Sequence, residues 1–175
     1  MKVWITSSSR VKDDKYLEVG TNVAKIFSNF DYELLCGGIS SSMMKNVYDV
    51  FSQEKKNITC VTLKCYNEQF DDITPIYVEN TFDRAKTLYN LADVIVFLPG
   101  GTGSISEIFS TLEEYRTISS DKKLILYNEF GFYDTIIMLI NDLVSKGFND
   151  ISILEKIEIV NSKEELEKRV SEVYE

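Results

Sequence analysis

Histidine is absent from this chain, and that one absence removes much of ordinary enzyme chemistry. A Ser-His-Asp triad, an imidazole general acid and a histidine-based metal site are all excluded. Catalysis, if there is any, has to come from carboxylates, Lys, Arg, hydroxyls and backbone dipoles. Proline is nearly as scarce, two in 175 residues, and no Pro-, Gly- or Ser-rich stretch marks an interdomain linker. Cysteine is confined to Cys36, Cys60 and Cys65. An odd number cannot pair completely, and with no histidine to activate a thiolate they read as reduced thiols of a cytoplasmic protein. No apolar run approaches the ~20 residues that cross a bilayer. Met1-Lys2 leads straight into a strand-like segment, so no signal peptide is expected. A strong basic run is missing too: 19 Lys and Arg stand against 28 Asp and Glu, a net charge of −9. That balance argues against a nucleic-acid polymer or an anionic membrane as the main partner. A small phosphorylated ligand needs only one local site and stays compatible.

What is present is core-forming material, 44% hydrophobic and 12% aromatic residues, in a regular alternation of short and long patterns. Strands are predicted at Lys2–Thr6, Tyr32–Cys36, Ile58–Leu63, Asp93–Leu98, Lys123–Tyr127 and Ile157–Val160. Helical periodicity covers roughly Asp14–Ser28, Ser41–Gln53, Phe82–Leu91, the stretch after Gly103 to about Thr117, Tyr133–Lys146 and Ser162–Val173. Asp93-Val94-Ile95-Val96-Phe97-Leu98 is the strongest strand signal, and its unbroken apolar character means burial on both faces, as in a parallel sheet. Strict alternation implies right-handed crossovers and one Rossmann-like domain over residues 1–175, an open parallel sheet with helices on both faces. Tyr66–Asn80 is the longest irregular connection, the kind of segment that often covers a site. Ser162 and Glu165 carry a capping-box spacing.

In open α/β sheets ligands bind beyond the carboxyl ends of strands. The most ligand-ready loop is Leu98-Pro99-Gly100-Gly101-Thr102-Gly103-Ser104-Ile105-Ser106-Glu107. Glycines after a buried strand let backbone approach a ligand, and the following helix start offers unpaired N–H groups and a positive dipole end to a phosphate. The same residues also suit a plain tight turn with a first-turn Glu favoured by the dipole. A Walker lysine is missing, because Ser104 and Ile105 stand where Gly-Lys-Ser/Thr is required, so ATP hydrolysis is not indicated.

Pro99-Gly100-Gly101-Thr102-Gly103-Ser104-Ile105-Ser106-Glu107 resembles the PGGxGTxxE motif of the Lonely Guy phosphoribohydrolases, a family long labelled lysine decarboxylases. Arg84 stands where that family has the arginine of its MHxRK segment. Ser7-Ser8-Ser9 resembles the CGSS loop after its first strand, and Gly37-Gly38 with Met43-Met44 resembles its GGGxxGLMG segment. Asn128 with Gly131-Phe132-Tyr133-Asp134, and Gly147-Phe148, resemble further family positions, so the likeness runs along nearly the whole chain. It implies hydrolysis of a nucleoside 5′-monophosphate to free base and ribose 5-phosphate. Cleaving the C1′–N bond builds positive charge on the sugar, which a carboxylate stabilises. The resemblance gives that role to Glu107 and a positioning role to Arg84. It gives the 5′-phosphate to Gly100, Gly101, Thr102, Gly103 and Ser104, and places Ser8 and Met44 at the pocket wall.

No metal site is expected, because acidic residues are scattered and no Cys/His spacing exists, and no cofactor is expected; the resemblance implies a homodimer, and the helices around Ser41–Gln53 and Ser104–Thr117 carry apolar faces suited to pairing. Several positions depart from the family. Phe82 and Ala85 flank Arg84 in place of His and Lys, Ile39, Ser42 and Lys45 replace glycines of the second motif, and Ser7 replaces the glycine after the first strand. These changes leave a second reading open: a module of the same fold that senses a nucleotide without turning it over. An amino-acid decarboxylase is not supported, since no lysine sits in a pyridoxal-phosphate context.

Overall fold

The structure is a computed structural model that describes residues 1–118 and 120–174, with the backbone alone at 173 and 174. Seven parallel strands form one sheet: β1 (Lys2–Thr6), β2 (Glu33–Cys36), β3 (Ile58–Leu63), β4 (Ile76–Val78), β5 (Val94–Phe97), β6 (Lys123–Tyr127) and β7 (Ile157–Val160). Their order is β4-β3-β2-β1-β5-β6-β7. The chain therefore builds outward from β1 to one edge, returns to the other side of β1, and builds outward again. β1 and β5 pair in register, Val3 opposite Val94 and Thr6 opposite Phe97. The loops that follow these two strands leave in opposite directions, and the crevice they open is where such sheets take ligands.

Alternation along the strands divides the core. Val3, Ile5, Leu34, Cys36, Val94, Val96, Ile125 and Tyr127 face one side. There they meet α1 (Asp14–Ser28), α2 (Ser42–Gln53) and α7 (Lys163–Tyr174) through residues such as Val23, Phe27, Val47, Phe51 and Val170. Trp4, Leu35, Ile95, Phe97, Leu124 and Leu126 face the other side. Leu88, Ile108 and Ile140 cover them from α3 (Thr81–Leu91), α4 (Thr102–Thr117) and α5 (Asp134–Ser145). A four-residue helix, α6 (Ser152–Glu155), precedes β7.

Five of the predicted strands and helices carry the same bounds in the structure, and the others shift by one or two residues at an end. Two elements are additional. Pro75 is followed by β4, three residues that pair parallel with β3 inside the segment expected to be irregular. Its exposed Ile76 and Tyr77 have no alternating pattern to announce a strand. α6 is too short for a helical period. The capping box forms in altered register: Ser162 Oγ accepts from Glu165 N, but the Glu165 carboxylate reaches the N–H of Asn161. The apolar faces expected to serve a dimer are used inside the chain, with Met43, Val47 and Phe51 of α2 and Ile108 and Leu112 of α4 in the core. The exposed apolar side chains include Met138 and Leu139 on α5 and Phe148 and Ile151 beyond it.

α1 and α2 meet at Gly20. A Cβ added there would lie 2.5 Å from Met43 Cγ, and Met43 is fully buried. Gly20→Ala would ordinarily favour a helix by about 1 kcal/mol. Here overpacking reverses the sign, and a net loss of about 1–3 kcal/mol is expected in a denaturant titration. An unchanged or higher midpoint would show that the two helices part without cost.

Candidate active site

The helices around the crevice differ in how their first turns are satisfied. Asp13 caps α1, accepting from Lys15 N, and Asn80 caps α3, accepting from Asp83 N. α2 has no side-chain cap; its Met44 N–H is taken by the Ser8 carbonyl, and Ser41 Oγ donates to the Ser9 carbonyl. α4 differs from all of these. Its N-cap is Gly101, which has no side chain to offer, and the N–H groups of Thr102, Gly103 and Ser104 find no acceptor among the described residues. Three uncapped donors and the positive end of a four-turn helix face the crevice. Such an arrangement can hold an anion.

Glycine placement follows from the same geometry. A Cβ at Gly101 or Gly103 would meet nothing within 4 Å, so both border open space. A Cβ at Gly100 would lie 2.1 Å from Ser104 Oγ: the absence of a side chain at Gly100 lets the buried Ser104 tuck beneath the loop. Tyr133, also buried, donates its hydroxyl proton to the Leu98 carbonyl just ahead of the loop. Asn128 shapes the turn that delivers Tyr133, accepting from Tyr133 N at 2.6 Å and donating to Asp134 Oδ1 at 2.8 Å.

One turn into α4, Glu107 meets Arg84 of α3, with Nη2 donating to Oε1 at 3.0 Å. The two side chains are 13% and 11% exposed. Burial raises the Glu107 carboxyl above its ordinary 4.5, and the charge and hydrogen bond of Arg84 offset that only in part. Burial and the nearby Glu107 charge in turn hold the Tyr133 phenol protonated. Arg84 Nε remains buried and without a partner among the described residues, as do Thr6 Oγ1 and Ser7 Oγ.

Thr6, Ser7, Arg84 and Glu107 line one cavity of about 810 Å³, within the ~300–1,000 Å³ of small-molecule sites. Of the residues named from the sequence, Ser8, Met44, Arg84, Gly101, Thr102, Gly103, Ser104 and Glu107 lie on its wall. Gly100 stands behind it. Ser7, Arg10, Ser41, Tyr66, Asn67 and Glu68 also line the cavity, and sequence reasoning did not assign them. Ser7 sits in a loop already singled out. Tyr66–Glu68 sit at the start of the segment expected to cover a site, but nothing in their identities marks them individually.

Comparison with known proteins places this site in a family. A family model described as "Possible lysine decarboxylase" matches residues 37–170. The chain belongs to that family. A cytokinin riboside 5′-monophosphate phosphoribohydrolase of Mycobacterium tuberculosis is 22% identical over 87 residues, 50% of this chain and 46% of the relative. The phosphoribohydrolase LOG3 of Arabidopsis thaliana is 22% identical over 171 residues, 94% of this chain and 79% of the relative. The match thus spans about half the length of the mycobacterial family member. Among solved structures, the molybdenum cofactor carrier protein of Chlamydomonas reinhardtii superposes with a TM-score of 0.71 at 15% identity, covering 99% of this chain and 97% of that one. At that identity the likeness is one of fold.

Because Glu107 ionises less readily in the fold than in the unfolded chain, the folded state binds the extra proton, and stability falls as pH rises from about 4.5 through the folded-state value. Glu107→Gln carries no such charge. Its melting temperature relative to wild type is expected to climb with pH across that window and to be level below it. A difference that stays flat from pH 4 to 8 would mean that Arg84 fully compensates the buried charge.

Proposed function

We propose that this chain hydrolyses the N-glycosidic bond of a nucleoside 5′-monophosphate, giving free base and ribose 5-phosphate. The observation that carries the reading is the buried Arg84–Glu107 pair one helical turn from the uncapped N-terminus of α4. A 5′-phosphate on the N–H groups of Thr102, Gly103 and Ser104 sets the ribose over Glu107. As the C1′–N bond opens, its electron pair leaves with the base and positive charge grows on C1′ and the ring oxygen. The Glu107 carboxylate lies in a water-poor site where opposite charge is felt strongly. A water oxygen then bonds to C1′, and one of its protons ends on the departing nitrogen. Arg84 holds the carboxylate in place and keeps part of it ionised.

The names of the family members match this reaction, and so does the placement of Ser8 and Met44 on the cavity wall. In this reading residues 1–175 act as one nucleotide-binding unit, without cofactor. The reading extends to a homodimer, with the exposed Met138 and Leu139 of α5 as the surface on offer. It also puts the protein in the cytoplasm, where the free thiols of Cys36 and Cys60 stay reduced.

The test is release of free base from AMP, GMP, CMP and their deoxy analogues. Wild-type protein is expected to release base from at least one of them, and Glu107→Ala to cut kcat by about 10²-fold or more with the circular dichroism spectrum unchanged. Activity that survives the substitution would remove the mechanism. A nucleotide that raises the melting temperature yet is never cleaved would leave a sensor in place of an enzyme.

A further inference from the structure

The cavity has one aromatic ring that a ligand can reach. Trp4 also borders it, but is 1% exposed and packed edge-on against Phe97. Tyr66 is half-buried, and the guanidinium carbon of Arg84 lies over one face of its ring, 5.8 Å from the centroid; this is the same guanidinium that binds Glu107, and the other face is the one a flat ligand would use. The ring therefore stands beside the Arg84–Glu107 pair, on the wall of the same cavity.

The loop holding Tyr66 is built to keep its shape. Tyr66 N donates to the Leu63 carbonyl. Gln69 turns back to donate to the Tyr66 and Leu63 carbonyls at 2.6 and 3.4 Å and accepts from the Tyr77 hydroxyl at 3.1 Å. Ser40 N donates to the Glu68 carbonyl at 3.0 Å, and Ile39 bridges to Gln69. Beyond it, Phe70 stacks on Tyr48 at 3.6 Å, and the Tyr48 hydroxyl donates to Asp72. The lower wall of the cavity is thus tied to α2 and β3. A pre-set ring loses little freedom when a flat ligand lands on it.

We infer that Tyr66 is the platform on which the nucleobase stacks, so that this loop, and not the glycine bend, sets how strongly each base is held. The inference rests on the reaction proposed above and adds what recognises the leaving group. Stacking tolerates any base, since each has a π-face, but it grows with overlap, so the wall favours purines over pyrimidines.

The experiment measures Kd for AMP and CMP by calorimetry on a Glu107→Gln background, where turnover is blocked. Kd for ribose 5-phosphate, which is not consumed, is measured on both that background and wild type. Tyr66→Ala and Tyr66→Leu are expected to weaken AMP by about 5- to 150-fold and to change ribose 5-phosphate less than about twofold. Both should also erase the preference for AMP over CMP, and Tyr66→Phe should retain it. Equal weakening of AMP and ribose 5-phosphate would make Tyr66 a structural post or a sugar contact and overturn the inference. So would unchanged AMP binding in Tyr66→Ala. On the Glu107→Gln background with Tyr66 intact, ribose 5-phosphate bound as tightly as AMP would overturn the stacking role and leave the reaction standing. A protein that binds neither would overturn both.

Discussion

Taking a carboxylate and a guanidinium out of water costs several kcal/mol for each ion, and their attraction repays this only when geometry holds them together. Arg84 and Glu107 are in that position, on different helices, with one hydrogen bond between them at 3.0 Å. Much of the surrounding fold acts to fix where those helices begin. Asn80 caps α3 four residues before Arg84, and Leu88 and Tyr89 anchor the same helix in the core. α4 is aimed by β5 through the Leu98 carbonyl, which the Tyr133 hydroxyl holds from the loop after the neighbouring strand β6. The buried pair stores no obvious stability of its own. It is a place where the fold accepts a cost so that a carboxylate can face a ligand in a dry pocket.

Some parts of this arrangement were legible in the chain and others were not, for physical reasons. β1, β3, β6 and β7 are runs of β-branched and aromatic residues long enough to bury on two faces, and α1 has a capped start and a clear apolar stripe. The glycine loop was legible because its information is local: strand, turn and helix start follow one another. Tyr32 was placed in β2 but lies in the turn ahead of it, its N–H bonded to the Phe30 carbonyl. β4 is held by pairing with β3, which no local pattern encodes. Tyr66 becomes a cavity residue only when the connection after β3 folds back over α2. Its position is a tertiary fact.

The departures from the family pattern resolve differently one from another. Lys45 is on the surface, paired with Asp49, and Phe82 is 76% exposed. Ser42 stands where the family has a glycine and keeps a φ of 54°, a left-handed conformation uncommon for a residue with a side chain. Its hydroxyl accepts from Val11 N at 2.8 Å and donates to the Val11 carbonyl, bonds that offset the strain and fasten the loop after β1 to α2. Ser7 alters the cavity wall itself: it is buried, and its hydroxyl has no protein partner.

The bare start of α4 has a consequence for the protein without its ligand. A glycine N-cap in place of Ser, Thr, Asp or Asn costs a helix only a few tenths of a kcal/mol, and here three N–H groups are also left open at the point where the chain passes from the sheet to its longest helix. An anion settling there acts as the absent serine or aspartate. Occupancy and folding then share one equilibrium, and the concentration of whatever docks becomes a term in how much of the chain is folded at all.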